Sequence, residues 1–134
     1  METFLHLSIP VTELDAALTF YVDTLGCASG RIRRDQGFAD VWFYGMQLTL
    51  QEQPEQVLPL EQQGSRHFGA ALPPDELEAV LARLARSSVT WLARPTVDTE
   101  GRLNGKTSAK FADPSGNVIE LKSYHDPKAA LGAR

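Results

Sequence analysis

Phe111-Ala112-Asp113-Pro114-Ser115-Gly116-Asn117-Val118-Ile119-Glu120-Leu121 is the stretch on which the fold turns. Its centre, Asp113 to Asn117, consists of turn formers: Asp and Asn bond back to their own backbone, Pro fixes φ, and Gly tolerates positive φ. Strands are expected on either side, over Lys106 to Ala112 and Val118 to Tyr124. The second half of the stretch has a counterpart earlier in the chain. Gly116-Asn117-Val118-Ile119-Glu120-Leu121 overlays Gly45-Met46-Gln47-Leu48-Thr49-Leu50 without a gap, which pairs Glu120 with Thr49.

Working outward, the same element order occurs twice. Phe4 to Ile9 reads as a strand stopped by Pro10, with Phe4, His6 and Ser8 on one face and Leu5, Leu7 and Ile9 on the other. Thr12 with Asp15 three positions on reads as a helix cap. Leu14, Ala17, Leu18, Tyr21, Val22 and Leu25 then recur at helical spacing up to Gly26. Strands follow over Ala28 to Arg34, Phe38 to Tyr44 and Gln47 to Glu52, with turns near Asp35-Gln36-Gly37 and at Gly45. After a Pro- and Gln-rich linker over 54–64, the plan restarts with a strand from His67 to Leu72. Pro73-Pro74-Asp75 opens a helix with Leu77, Val80, Leu81 and Leu84 on its apolar stripe. Strands at Val89 to Ala93, Lys106 to Ala112 and Val118 to Tyr124 complete the second half. His67 stands in its opening strand as His6 does, and Leu14 to Gly26 lines up with Leu77 to Val89. The expectation is an α+β fold of two βαβββ modules, 1–53 and 65–126, in one domain over 1–134, with a loose tail at 127–134.

Composition narrows the function. The 134 residues are 43% hydrophobic and 22% charged, which is globular and large enough for a core without disulfides or a structural metal. Thirteen Lys and Arg against seventeen Asp and Glu leave a formal charge of −4. No basic run exceeds the Arg31, Arg33, Arg34 cluster, so no nucleic-acid partner is expected. No apolar run approaches the ~20 residues of a membrane helix, and the N-terminus has no signal pattern, so a cytoplasmic protein with no membrane partner is expected. The single Cys27 cannot form an internal disulfide.

If equivalent modules pack about a pseudo-twofold axis, His6 and His67 fall at related positions, as do Thr49 and Glu120. Two imidazoles and one carboxylate form a ligand set for a divalent first-row metal and leave positions open for substrate. No local motif such as HExxH supports the set. The repeat is its warrant. His125, after the last strand beside Tyr124, is a candidate acid or base.

The opening strand Phe4 to Ile9, the helix through Phe20-Tyr21, Leu25-Gly26 and above all Phe111 to Leu121 resemble the vicinal oxygen chelate superfamily. That superfamily includes glyoxalase I, extradiol dioxygenases, epimerases and the bleomycin and fosfomycin resistance proteins. The resemblance covers nearly the whole chain and implies paired βαβββ units forming a curved, open barrel-like mixed sheet, often completed as a homodimer. It puts the metal positions on His6, His67 and Glu120, and the fourth family position on Thr49. Glyoxalase I-type enzymes carry Glu or Gln there for proton transfer, so Thr49 departs from them, while Gln51 on the same strand face is a substitute. Three ligands match the extradiol pattern, with Fe or Mn favoured over Zn, Ni and Co. The expected function is therefore a dioxygenase-like, metal-dependent enzyme whose small substrate chelates the ion through two neighbouring oxygens. Tyr124 and His125 are its acid/base candidates, and Trp42, Thr49, Gln51 and Lys110 its substrate contacts. Lys106 is a further cation on the strand of Lys110. Two other readings use the same residues: a metal-dependent isomerase or lyase, and a metal-free ligand-binding protein with Phe38, Trp42, Phe43 and Trp91 lining its groove.

Overall fold

The computed structural model describes residues 1–98 and 105–132. The chain divides into two compact units, one of residues 1–64 with the turn 113–117, the other of residues 65–112 and 118–134. Each contains a four-stranded mixed sheet built to one plan.

In the first unit the strands are β1 (Leu5–Val11), β2 (Ala28–Arg33), β3 (Phe38–Phe43) and β4 (Met46–Glu52), in the order β1-β4-β3-β2. β1 runs parallel to β4, and the other pairs are antiparallel. Alternation sorts the side chains. Ile9, Val11, Ala39, Val41, Phe43, Leu48 and Leu50 are buried with Leu14, Ala17, Leu18 and Tyr21 of the helical segment. The opposite sheet face carries His6, Ser8, Gln47, Thr49, Gln51, Phe38, Asp40 and Trp42 by register.

The helical segment differs from the regular helix that the spacing predicts. α1 (Leu14–Leu18) gives way to a wider π turn over Thr19–Thr24, closed by the Leu25 N–H on the Phe20 carbonyl at 2.9 Å. Phe20 and Tyr21 are both buried within this wider turn, edge to face at 5.1 Å. Nor does Thr12 cap this helix. Its N–H and hydroxyl go to Ser115 Oγ, at 2.9 and 3.2 Å, while Glu52 Oε2 accepts the orphan Leu14 N–H at 2.8 Å.

The second unit repeats the plan with β5 (Phe68–Ala71), α2 (Pro74–Ala85), β6 (Thr90–Asp98), β7 (Lys106–Ala112) and β8 (Val118–Tyr124), in the order β5-β8-β7-β6. Leu77, Val80 and Leu84 of α2 bury with Ala109, Phe111, Ile119 and Leu121. β6 runs further than the strand expected at Val89 to Ala93, and the second of its two register shifts against β7, between Ala93 and Thr96, accommodates Pro95 at this sheet edge. β5 begins one residue after His67, so that His precedes its strand instead of lying inside it. The tail expected to be loose contains a short helix, α3 (Pro127–Leu131). Two 3₁₀ turns, Pro54–Gln56 and Leu60–Gln62, occupy the linker.

The repeat holds at backbone level. Leu7 pairs with Leu48 and Phe68 with Ile119, the same register in both sheets. Gly45 and Gly116, matched by the overlay, have φ of 87° and 89°, a region that only Gly enters without strain. The turn 113–117 is fastened within the first unit. Asp113 Oδ1 accepts the backbone N–H of Ser115 and Asn117, and Oδ2 accepts Asn117 Nδ2 and the Tyr21 phenol at 2.7 Å. Asn117 Nδ2 also donates to the Pro10 carbonyl.

Candidate metal centre

β8 exposes Glu120, Lys122 and Tyr124 on one face and turns Ile119, Leu121 and Ser123 to α2. The Glu120 side chain is 12% exposed, and His67 Nε2 lies 3.5 Å from its Oε2. That is too long for a hydrogen bond and short enough for both atoms to bind one ion, since two bonds of about 2.1 Å span at most about 4.2 Å. His67 Nδ1 is 2.8 Å from the Ser65 carbonyl. A carbonyl only accepts, so Nδ1 holds a proton and Nε2 is the ring nitrogen that faces Glu120. An imidazole nitrogen beside a carboxylate is a donor pair suited to a divalent transition metal.

Two ammonium groups flank this pair. Lys110 Nζ is 3.7 Å from Glu120 Oε2, and Lys122 Nζ is 3.7 Å from Oε1. Lys122 also lies 5.3 Å over the Tyr124 ring. Its pKa is raised, first by the Tyr124 hydroxyl and, against some desolvation, by the charges of Tyr124 and Glu120. His67, Gly69, Ala71, Glu120 and Lys122 line an open cavity of about 210 Å³.

In the first unit, His6 is exposed on β1 beside Gln47, the register position that corresponds to His67 beside Val118. Thr49, the counterpart of Glu120, is buried and donates its hydroxyl to Asp40 Oδ1 at 2.7 Å. Gln51 donates to Ser8 Oγ on the same face. Within neither unit, among the described residues, do three His, Cys, Asp or Glu side chains gather as a set able to hold an ion. His67 and Glu120 come together in the second unit. His6 belongs to the first.

The remaining expectations separate by face. Trp42 is on the His6 face, edge-on to Phe4 at 5.3 Å, and Phe38 is there too. Phe43 is a core residue at 1% exposure, and Trp91 packs against buried Phe111, so neither shares a face with a ligand candidate. Tyr124 stands on the Glu120 face with Lys110 and Lys106 by register. His125 does not, because its Nε2 meets Thr107 Oγ1 at 3.2 Å on the α2 side, beside a cavity of about 330 Å³ lined by Leu77, Leu81 and Ser123. Asp40 lies outside the expected set, yet it is 2% exposed and bonded to both Thr49 and Arg31. A lone carboxylate inside the apolar strand Phe38-Ala39-Asp40-Val41-Trp42-Phe43 was the available signal.

Two like sheets, each with a parallel opening pair and a helix on one face, define a class of paired βαβββ proteins. The Glyoxalase/Bleomycin resistance protein/Dioxygenase superfamily pattern matches residues 3–121, and the chain belongs to that superfamily. It is similar to a glyoxalase/bleomycin resistance protein/dioxygenase from Alicyclobacillus acidocaldarius, with TM-score 0.83 and 25% identity over 95% of both chains. It also resembles in fold a glyoxalase/dioxygenase from Nostoc punctiforme, with TM-score 0.72 and 18% identity over 92% of each chain. The fosfomycin resistance protein FosX of Listeria monocytogenes aligns with TM-score 0.76 and 13% identity over 98% of this chain and 99% of its own. No curated protein matches the chain in sequence. No helix among the described residues is long and apolar enough to cross a membrane.

Proposed function

We propose that this protein is a divalent-metal-dependent, dioxygenase-like enzyme of its superfamily, acting on a small substrate that offers two neighbouring oxygens, with His6, His67 and Glu120 as the metal ligands. The observation that carries the reading is the His67–Glu120 pair, with the Nδ1 proton fixed on the Ser65 carbonyl and Nε2 held 3.5 Å from a half-buried carboxylate. A bound Fe or Mn ion supplies Lewis acidity, open coordination positions and redox capacity.

The chain's own residues do the rest. Lys110 and Lys122 stand beside the carboxylate and offset the negative charge of a chelating substrate. Tyr124, whose ring lies under the Lys122 ammonium at 5.3 Å, is the acid/base candidate on that face. Trp42 with Phe4 gives an apolar wall, and Gln51 a positioned amide. Thr49 is spent on Asp40, so it offers neither a fourth ligand nor the base that a glyoxalase-type proton transfer uses. That favours the three-ligand reading over the isomerase or lyase one.

The test is elemental mass spectrometry on protein purified without oxygen and reconstituted with Fe(II) or Mn(II), followed by a catechol panel read for ring-cleavage absorbance. About one equivalent of metal is expected, lost in His6→Ala and in Glu120→Gln with folding intact by circular dichroism. Folded wild type that retains no metal, or metal that both variants retain, overturns the ligand assignment. Bound metal with no cleavage of any catechol overturns the dioxygenase-like reaction alone.

A further inference from the structure

We infer that the β2 edge of the first unit carries an oxyanion-binding site built on Arg31, which receives a carboxylate or phosphate-type group of the substrate. The inference rests on the proposed function only in taking the His6 face of this sheet as the substrate face.

Three observations place Arg31. Ser29 pairs with Val41 and Ile32 with Ala39, so Gly30 and Arg31 together oppose the single residue Asp40. That two-against-one bulge turns Arg31 onto the face of Asp40, Thr49 and His6, whereas simple alternation after Ser29 would send it to the helix side. Gly30 makes the bulge fit, because a Cβ there would lie 3.2 Å from Asp40 Cβ and 3.3 Å from its carbonyl oxygen. The guanidinium is then held on two sides. Its Nε donates to Asp40 Oδ2 at 2.7 Å, and its Cζ lies 5.3 Å from the centre of the Phe38 ring.

What remains is a planar cation with a fixed orientation and a free edge. The Arg31 side chain is 60% exposed while that of Asp40 is 3% exposed. Its two Nη atoms have no hydrogen-bond partner among the described residues. They present the parallel donors that match a carboxylate or phosphate, with little side-chain freedom left to lose on binding. Arg33 stands on the same face opposite Phe38 and has no ion-pair partner among the described residues. Arg34, by contrast, is consumed by Asp15 at 3.0 and 3.1 Å. Arg31 and Arg33 against Asp40 leave one net positive charge at this edge. β1 and β2 lie three strand spacings apart, about 14 Å at the backbone, so the anionic group belongs at the end of the substrate remote from the oxygens that meet His6.

The test uses metal-free protein, so it does not depend on the metal reading. Inorganic phosphate and acetate are titrated separately into ¹⁵N-labelled protein, and the backbone amide resonances of β2 and β3 are followed in every variant, with the Arg31 Nε–Hε resonance as a second reporter in wild type. Saturable binding of at least one anion is expected, and which one separates a phosphate-type from a carboxylate-type group. Arg31→Gln alone would strand buried Asp40, so the variant used is Arg31→Gln with Asp40→Asn, which keeps an acceptor for Thr49. Its affinity should fall about tenfold or more, with Arg31→Lys intermediate because it keeps the charge and loses the fork. Metal content of the double variant should equal that of wild type. Equal affinity in wild type and the double variant, or no saturable binding of either anion to wild type, overturns the site.

Discussion

Replacing Tyr21 by Phe removes one oxygen atom from the interior and leaves the ring. Tyr21 is fully buried, and its phenol donates at 2.7 Å to a carboxylate that also holds the Ser115, Asn117 and Asn117 side-chain donors. A hydrogen bond to a charged group contributes about 1.5–3 kcal/mol net, so Tyr21→Phe should cost about 2 kcal/mol near pH 7. For a chain of this length that lowers Tm by about 7 °C. The pH dependence is a sharper test. Burial, followed by the Asp113 charge, raises the Tyr21 pKa well above 10.0. The unfolded chain releases this proton near pH 10 while the folded chain keeps it. Stability from Tyr21 is therefore present below pH 10 and is lost at about 1.4 kcal/mol per unit above it. The difference between wild type and variant should shrink from about 2 kcal/mol at pH 7 to about 0.6 kcal/mol at pH 11. Asp113 acts at the other end. Burial raises its pKa above 3.8, and the Tyr21 bond is among the contacts that lower it, so the variant should raise it further. A raised acid adds stability as pH falls through the window above 3.8, which narrows the difference there as well. Urea unfolding at pH 5, 7 and 11 measures all three. A cost below about 0.5 kcal/mol at pH 7, or one that does not change at pH 11, would refute the account of this clasp.

Gly69→Ala tests how Glu120 is positioned. A Cβ at residue 69 would fall 1.7 Å from the Glu120 carbonyl oxygen, so β5 must move away from β8. A loss of about 3 kcal/mol or more in urea unfolding, together with weaker metal retention, is expected; an unchanged midpoint would refute the close approach. Glu52→Ala removes the acceptor for the Leu14 N–H and should cost about 1 kcal/mol. Thr12→Ala, if it acted through the helix cap, would match that loss and have no dependence on Ser115; the structure expects its effect to vanish in a Ser115→Ala background.

Much of the fold could be read because its determinants are local. The segment Gly116 to Leu121 repeats Gly45 to Leu50, and both glycines need the same positive φ, so turn chemistry and strand alternation agree in each half. The departures arise where a distant group competes. Thr12 has the sequence of a cap, yet Ser115 takes its hydroxyl and Glu52 takes its place, across separations of 103 and 38 residues. The π turn at Thr19–Thr24 changes the backbone hydrogen-bonding step, which the spacing of apolar residues does not encode.

The candidate site was legible to the extent that it follows the repeat. His67 and Glu120 meet because His67 precedes β5 and Glu120 lies one register step into its parallel partner β8, the arrangement that the overlay of the halves implies. His125 follows Tyr124 by one residue, and because one residue separates the two faces of a strand, it meets Thr107 on the side opposite Glu120. Arg31 shows the converse. Alternation after Ser29 assigns it to the helix side, and only the extra residue of the bulge at Gly30 turns it to the face of Asp40. A bulge leaves no signature in periodicity except a Gly in a strand. Thr49 fixes Asp40, and Asp40 holds Arg31 on the His6 face of the same sheet.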